Sequence, residues 1–270
     1  MLLVGTPIGN LEDLTDRARR TLASVDLVAC EDTRRTGKLL SGLGIKTRLI
    51  SFFEGNEADR VPTIVEELAS GARVALVSDA GMPSLSDPGY RLVSACVEAD
   101  IAVEVVPGPS AAVAALVISG LPTDRFVFEG FLPRSGRARA DRLASLRDEP
   151  RTAVLFESPR RTASTLQDLQ AAVGDRRVAI ARELTKLHQE VIRGHLSEVL
   201  ERIKGRELKG EVVLVLEGAP RPTGASDEEA LRVAAGLVAD GARKREAAKE
   251  AGRRTGVPAG RIYEALVKAL

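Results

Sequence analysis

The sequence predicts an α/β protein built from two sheet domains and a small helical unit behind them. Three observations lead there. Short apolar runs alternate with segments of helical period from Leu2 to Leu216, a Pro- and Gly-rich stretch from Glu217 to Ala225 interrupts the alternation, and the spacing beyond it is helical throughout. At 270 residues the chain can furnish roughly two domains with separate cores, taking about 150 residues as typical.

In the first half, Leu2 to Val4, Leu27 to Cys30, Leu49 to Ser51, Val74 to Val77 and Val103 to Val106 read as strands. Thr15 to Ala23, Thr33 to Ser41, Ala58 to Ser70 and Pro88 to Ala99 separate them with the spacing of amphipathic helices. Strand and helix in turn predict a mainly parallel sheet covered on both faces, over residues 1–112. A second series, over 113–218, has strands at Phe126 to Glu129, Ala153 to Phe156, Val178 to Ala181, Glu190 to Arg193 and Val212 to Leu216, with helices at Arg161 to Ala172 and Ser197 to Ile203. The short connection between Val178 to Ala181 and Glu190 to Arg193 predicts an antiparallel pair, so this sheet is mixed.

The tail, 226–270, opens on Ser226 with Glu229 three residues on, a capping-box pattern for a helix to about Ala239. A basic helix follows from Lys244 to Thr255, then Gly256-Val257-Pro258 and a helix from Ala259 to Ala269. That order suits a helix-turn-helix unit facing nucleic acid, and equally a three-helix packing or dimerisation unit.

Composition narrows the function classes. Hydrophobic residues make up 44% and charged residues 29%, which is ordinary for a globular chain, and no apolar run approaches the roughly 18 residues of a transmembrane helix. No membrane partner is expected. The N-terminus lacks the basic flank of a secretory leader, so the expected location is the cytoplasm. Cys30 and Cys96 lie in apolar surroundings without ligand spacing, which predicts core residues and no metal site. A net charge of +1 means that any RNA contact rests on local patches. Two such patches stand out: Arg134, Arg137, Arg139, Arg142 and Arg147, and Arg243, Lys244, Arg245, Lys249, Arg253 and Arg254. Either could also be a solvated helix face.

Three loops follow strands of the first half: Gly5-Thr6-Pro7-Ile8-Gly9-Asn10, Ser78 to Gly89, and Pro107-Gly108-Pro109-Ser110-Ala111. Ligands bind at the carboxyl edge of open α/β sheets, and Gly and Pro let backbone approach them. Asp79 adds a carboxylate fixed at the end of a buried run, suited to a cation. Neither GxGxxG nor a Walker loop is present, which disfavours nucleotide hydrolysis.

Gly5 to Asn10, Glu31-Asp32-Thr33-Arg34-Arg35-Thr36, Ser78-Asp79-Ala80-Gly81 with Ser86-Asp87-Pro88-Gly89, and Pro107 to Ala111 together resemble the tetrapyrrole methylase fold. With Gly130-Phe131-Leu132-Pro133, Phe156-Glu157-Ser158-Pro159 and Arg182-Glu183-Leu184-Thr185-Lys186, the chain more narrowly resembles the ribosomal RNA small-subunit methyltransferase I family, in order from Leu2 to Gly218. The resemblance implies two α/β domains with a cleft for S-adenosylmethionine between them. It also implies 2′-O-methylation of a cytidine in the decoding region of 16S ribosomal RNA in the small subunit, and a homodimer. The chain departs from the family pattern at Met82, Arg160 and Phe53.

Methyl transfer to a hydroxyl is an in-line displacement, helped by alignment and by a base near the hydroxyl, and it needs no metal. Glu31 and Asp32, beside Arg34 and Arg35, are expected to deprotonate a hydroxyl and hold a phosphate, although Asp32 or Thr33 also suits a helix N-cap. Lys186 with Glu183 is a second candidate pair. Expected cofactor contacts are Pro7, Asp79, Met82, Ser110, Ala111, Phe156 and Ala181; expected RNA contacts are Arg34, Arg35, Arg134, Arg137, Lys244, Arg245 and Arg253. Two other classes compete: a small-molecule methylase of the corrin or porphyrin type, which needs no basic tail, and a nucleic-acid-binding regulator without turnover.

Overall fold

The structure is a computed structural model and describes residues 1–220 and 226–269. Of the expected Pro/Gly linker, positions 221–225 lie outside the described residues, as does position 270 of the tail. The chain forms two compact units, Met1–Glu217 and Gly218–Leu270.

The first unit holds two five-stranded sheets. In the first sheet β1 (Leu2–Val4), β2 (Leu27–Cys30), β3 (Arg48–Ser51), β4 (Val74–Val77) and β5 (Glu104–Val106) lie in the order β3-β2-β4-β1-β5, and every pair is parallel. The two-residue period of each strand divides its side chains between two cores. Val28, Cys30, Ala75 and Val77 meet α1 (Asp16–Ser24) and α2 (Thr33–Gly42), whereas Leu27, Ala29, Val74 and Leu76 meet α3 (Glu57–Ala69) and α4 (Tyr90–Glu98). Burial on both faces is why β2 and β4 read as unbroken apolar runs. Both cysteines are buried core residues, as their apolar surroundings suggest.

The next helix, α5 (Ala111–Ile118), runs through the boundary expected at residue 112 and packs on the second sheet through Ala112, Ala115 and Leu116. That sheet has the order β6-β7-β10-β8-β9, from β6 (Phe126–Phe131), β7 (Thr152–Glu157), β8 (Arg177–Arg182), β9 (Glu190–His195) and β10 (Val212–Leu216). Only β6 and β7 are parallel, so the sheet is mixed, and β8 and β9 form the expected antiparallel pair. Its other face is covered by α6 (Gly136–Arg147), α7 (Thr162–Val173) and α8 (Leu196–Ile203). Ile8, from the loop after β1, is buried in the core between α5 and the second sheet, which joins the two sheets through one side chain.

The second unit contains α9 (Asp227–Ala239), α10 (Lys244–Thr255) and α11 (Ala259–Ala269) around an apolar core of Ala230, Ala234, Ala248, Ala251, Ile262 and Leu266. Ser226 caps α9 by accepting from the Glu229 amide at 3.1 Å. Gly256 ends α10 at φ 75°, and a side chain on Gly252 would meet the Val257 carbonyl at 2.9 Å, so the turn depends on both glycines. Among the described residues no helix is long and apolar enough to cross a membrane, and no group of side chains could hold a metal ion.

Candidate functional site

The centre of the first sheet is a topological switch point. β1 leads toward β2 on one side and β4 leads toward β5 on the other, and a crevice opens where such connections part. Backbone pairs the two loops there: Thr6 and Gly81 exchange hydrogen bonds of 2.9 and 3.1 Å, and the buried Thr6 hydroxyl donates to the Ser78 carbonyl at 3.2 Å. The loop after β5 closes in equally tightly, since a Cβ on Gly5 would lie 2.7 Å from the Gly108 Cα. The Gly/Pro composition of these loops thus serves close packing of backbone on backbone.

Two hollows adjoin this edge, and Ile8, Ala80 and Glu211 border both. The smaller, about 340 Å³, runs between the sheets and is walled by Met82, Leu85, Ser110, Ala111, Phe131, Phe156 and Val213. Phe156 packs against Phe131 at 5.6 Å and edge-on to Phe128 at 5.0 Å. The Ser110 hydroxyl is buried there with no hydrogen-bond partner, although a buried polar group is normally satisfied. The larger hollow, about 920 Å³, is an open cleft carrying Arg35, Lys38, Lys186 and Asp79.

The expected residues divide between these places. Met82, Ser110, Ala111 and Phe156 line the smaller hollow; Pro7 and Asp79 line the cleft. Ala181 is core, paired in register with Val213. Arg35 reaches Asp79 at 2.7 Å, and the Asp32 amide donates to the same carboxylate at 3.2 Å. Asp32 caps α2, and the Arg34 side chain holds its pKa down at about 2. Glu31 differs: burial first, then the neighbouring Asp87 and Asp79, push its pKa up. Burial also raises that of Asp87, which lines the smaller hollow. Glu31 and Asp32 neighbour these carboxylates but are not among the described residues that wall either hollow.

Lys186 stands on the loop between β8 and β9, 2.7 Å from Glu183 and 3.2 Å from Glu211. Burial opposes its charge, but the two carboxylates outweigh it and raise its pKa. Glu183 and Thr185 hold φ of 51° and 65°, a left-handed backbone uncommon outside glycine. The Asn10 amide donates to the Thr185 hydroxyl at 3.0 Å, and a Cβ on Gly9 would lie 2.5 Å from the Lys186 Cγ. The first loop is therefore seated on the second sheet.

The arginine-rich stretch lies on α6 except for Arg134, which precedes it, and its charges do not act as one patch. Arg139 is buried; it donates to Asp168 at 2.9 and 2.7 Å, to the Pro133 carbonyl at 2.9 Å and to the Thr165 hydroxyl at 3.0 Å. Thr165 in turn donates to the buried Glu157 at 2.6 Å. Arg142 pairs with Glu129, while Arg134 and Arg137 remain exposed. In the second unit Lys244 is half-buried, Arg245 is exposed, and Arg253 pairs with Glu250. Glu157 and Ser158 of the smaller hollow, and Phe131, lay within motifs quoted from the sequence; Ile8 lay in the first loop, and Glu211 carried no signal.

The profile of the tetrapyrrole (corrin/porphyrin) methylases matches residues 1–200. A Thermotoga maritima protein named ribosomal RNA small subunit methyltransferase I is 52% identical over 218 residues, covering 81% of this chain and 98% of its own length. Its namesake from Synechocystis is 46% identical, covering 98% and 96%, and that of Mycobacterium tuberculosis CDC 1551 is 45% identical, covering 100% and 95%. The chain belongs to this methyltransferase family. Solved structures at lower identity share its fold: uroporphyrin-III-C-methyltransferase from Thermus thermophilus has a TM-score of 0.57 at 23% identity, over 80% of this chain and 93% of that one. Diphthine synthase has a TM-score of 0.62 at 16%, over 80% and 90%.

Proposed function

We propose that this chain transfers a methyl group from S-adenosylmethionine to the 2′-hydroxyl of a cytidine in the decoding region of 16S ribosomal RNA, with the donor in the smaller hollow and the RNA in the cleft. The observation that carries this is the pair of adjoining hollows, one small and walled mainly by apolar side chains, the other larger and lined by cations, meeting at Ile8, Ala80 and Glu211. The residues fit the donor: aromatic and aliphatic walls suit an adenine, the unpartnered Ser110 hydroxyl suits a polar edge or a ribose, and Asp87 suits a cation. When bound, S-adenosylmethionine supplies an electrophilic methyl carbon on a sulfonium.

The chain's own residues align and deprotonate. Arg35, paired with Asp79, and Lys186, paired with Glu183, both line the cleft and on this reading hold phosphates there, which sets the hydroxyl for in-line attack. Among the acids expected to act, Glu31 has the raised pKa that general-base catalysis favours, whereas Asp32 at about 2 is a weak base and a helix cap. On this reading the hydroxyl proton passes into the Glu31, Asp79 and Asp87 group, of which Asp79 lines the cleft and Asp87 the smaller hollow, and Glu31, beside them, takes it up. Arg34, Arg134 and Arg137, and in the second unit Lys244, Arg245 and Arg253, add phosphate contacts. We further infer a homodimer acting in the cytoplasm.

Labelled methyl transfer to small subunits, intact and stripped to RNA, tests the reading. A 2′-O-methyl group blocks alkaline cleavage at its own nucleotide, so the label should map to one alkali-resistant cytidine. Label on a base, or only on a tetrapyrrole offered in competition, refutes it.

A further inference from the structure

We propose that Leu187, assisted by Leu11, is an apolar wedge that enters the stack of RNA bases and holds the target nucleotide out of it; this rests on the RNA reading above. Leu187 is 94% exposed and Leu11 66%, and Leu11 lines the cationic cleft. A lone exposed leucine on a slack loop would need no account. This loop is braced. The Thr185 amide donates to the Gln189 side chain at 2.7 Å, the Gln189 amide to the Lys186 carbonyl at 3.1 Å, and Lys186 reaches two carboxylates. Two of its residues, Glu183 and Thr185, hold left-handed backbone without being glycine. Leu11 follows Asn10, whose amide is bonded to Thr185, so the two leucines stand on loops tied to each other.

Braced backbone that holds out a large apolar side chain beside a cationic cleft suits a partner with both phosphates and stackable faces. RNA offers both. Side chains of this kind are inserted between base steps, where they replace part of the lost stacking while phosphate contacts fix the strand. Arg35, Lys38 and Lys186 would supply those contacts. A ribose lifted from its helix presents its 2′-hydroxyl to the narrow hollow, which a stacked one cannot reach as closely.

The test uses the full chain and two RNAs of one sequence around the mapped cytidine. In the first the cytidine is stacked in a stem; in the second it faces a gap and is already unstacked. Each carries 2-aminopurine beside the cytidine as a fluorescent reporter of stacking. Leu187→Ala should lower kcat/KM on the stem by about tenfold or more, as unstacking costs predict, and abolish the fluorescence rise. On the gapped RNA it should leave both almost unchanged, with S-adenosylmethionine affinity and melting temperature unaltered. Leu187→Met should restore the stem activity and Leu187→Gln should not. Equal losses on both RNAs would make Leu187 a docking contact and overturn the wedge, as would no loss on either. Those outcomes leave RNA methylation standing, whereas a parent chain that methylates neither these RNAs nor intact small subunits overturns both readings.

Discussion

Replacing Arg139 by alanine separates two roles that look alike in the sequence. Its guanidinium makes four hydrogen bonds, three to side chains of α7 and one to the Pro133 carbonyl ahead of α6, and through Thr165 it supports the buried carboxylate of Glu157 at the edge of the smaller hollow. Removing one partner of a buried charged network costs about 3–5 kcal/mol. Asp168 is half exposed and regains water, and Glu157 keeps Arg161 at 3.5 Å, so a loss near the lower end, about 3 kcal/mol, is expected. At about 2–4 °C per kcal/mol for a unit of this size, the melting temperature of Arg139→Ala should fall by roughly 6–12 °C. Calorimetric melting alongside RNA affinity is the assay. Arg139→Lys, which keeps charge without the planar fork, should recover only part of the stability. An unchanged melting temperature with RNA affinity reduced as far as in Arg134→Ala would refute the inward role and return Arg139 to the RNA surface.

Ser110→Ala should weaken S-adenosylmethionine binding by about 2–10-fold, the worth of one neutral hydrogen bond, and leave the ligand-free chain equally or more stable because its hydroxyl has no partner; titration calorimetry and melting measure both. Burial raises the Glu31 pKa, so the single-turnover rate should climb with pH through a value above the ordinary carboxylate range, and Glu31→Gln should flatten that limb. The same sign governs stability: the protonated acid favours the fold, and that contribution is lost as pH rises through the folded pKa, so Glu31→Gln should melt above the parent at neutral pH and level with it in acid. Charge reversal at Lys244, Arg245 and Arg253 should make the salt dependence of subunit binding shallower, by up to about 2 in the log–log slope for three single-strand phosphates, with donor affinity unaltered. Arg253 should contribute least, being paired with Glu250.

Most of the fold was legible because local pattern and tertiary fate agree. Buried parallel strands such as Val74–Val77 must be apolar on both faces, and Ser226, Gly256 and Pro258 mark where tail helices begin and end for steric reasons. α5 escaped notice because Ala111–Ile118 is apolar all round and shows no helical period. In the site, Ser110 and Met82 stood in loops whose Gly and Pro content flagged them. Glu211 did not, because only the pairing of β10 with β8 brings it beside Lys186, and no local spacing encodes a partner 25 residues away. Arg139 and Arg137 are indistinguishable by composition; packing against Thr165 and Asp168 decides which one turns inward.

The contact of Gly9 with Lys186, and the bond from Asn10 to Thr185, bear on how the protein turns over. A loop of one sheet seated without a Cβ to spare on the other cannot open like the jaws of a hinge unless that seat is broken first. On the reading that the donor occupies the smaller hollow, its exchange would run past exposed lining side chains such as Phe131 and Leu85, which are 57% and 38% exposed. Such gates operate in picoseconds to nanoseconds, whereas whole-domain opening takes microseconds to milliseconds. On that reading product release would depend on such side chains, and its rate should follow their bulk rather than the viscosity that slows large domain motions.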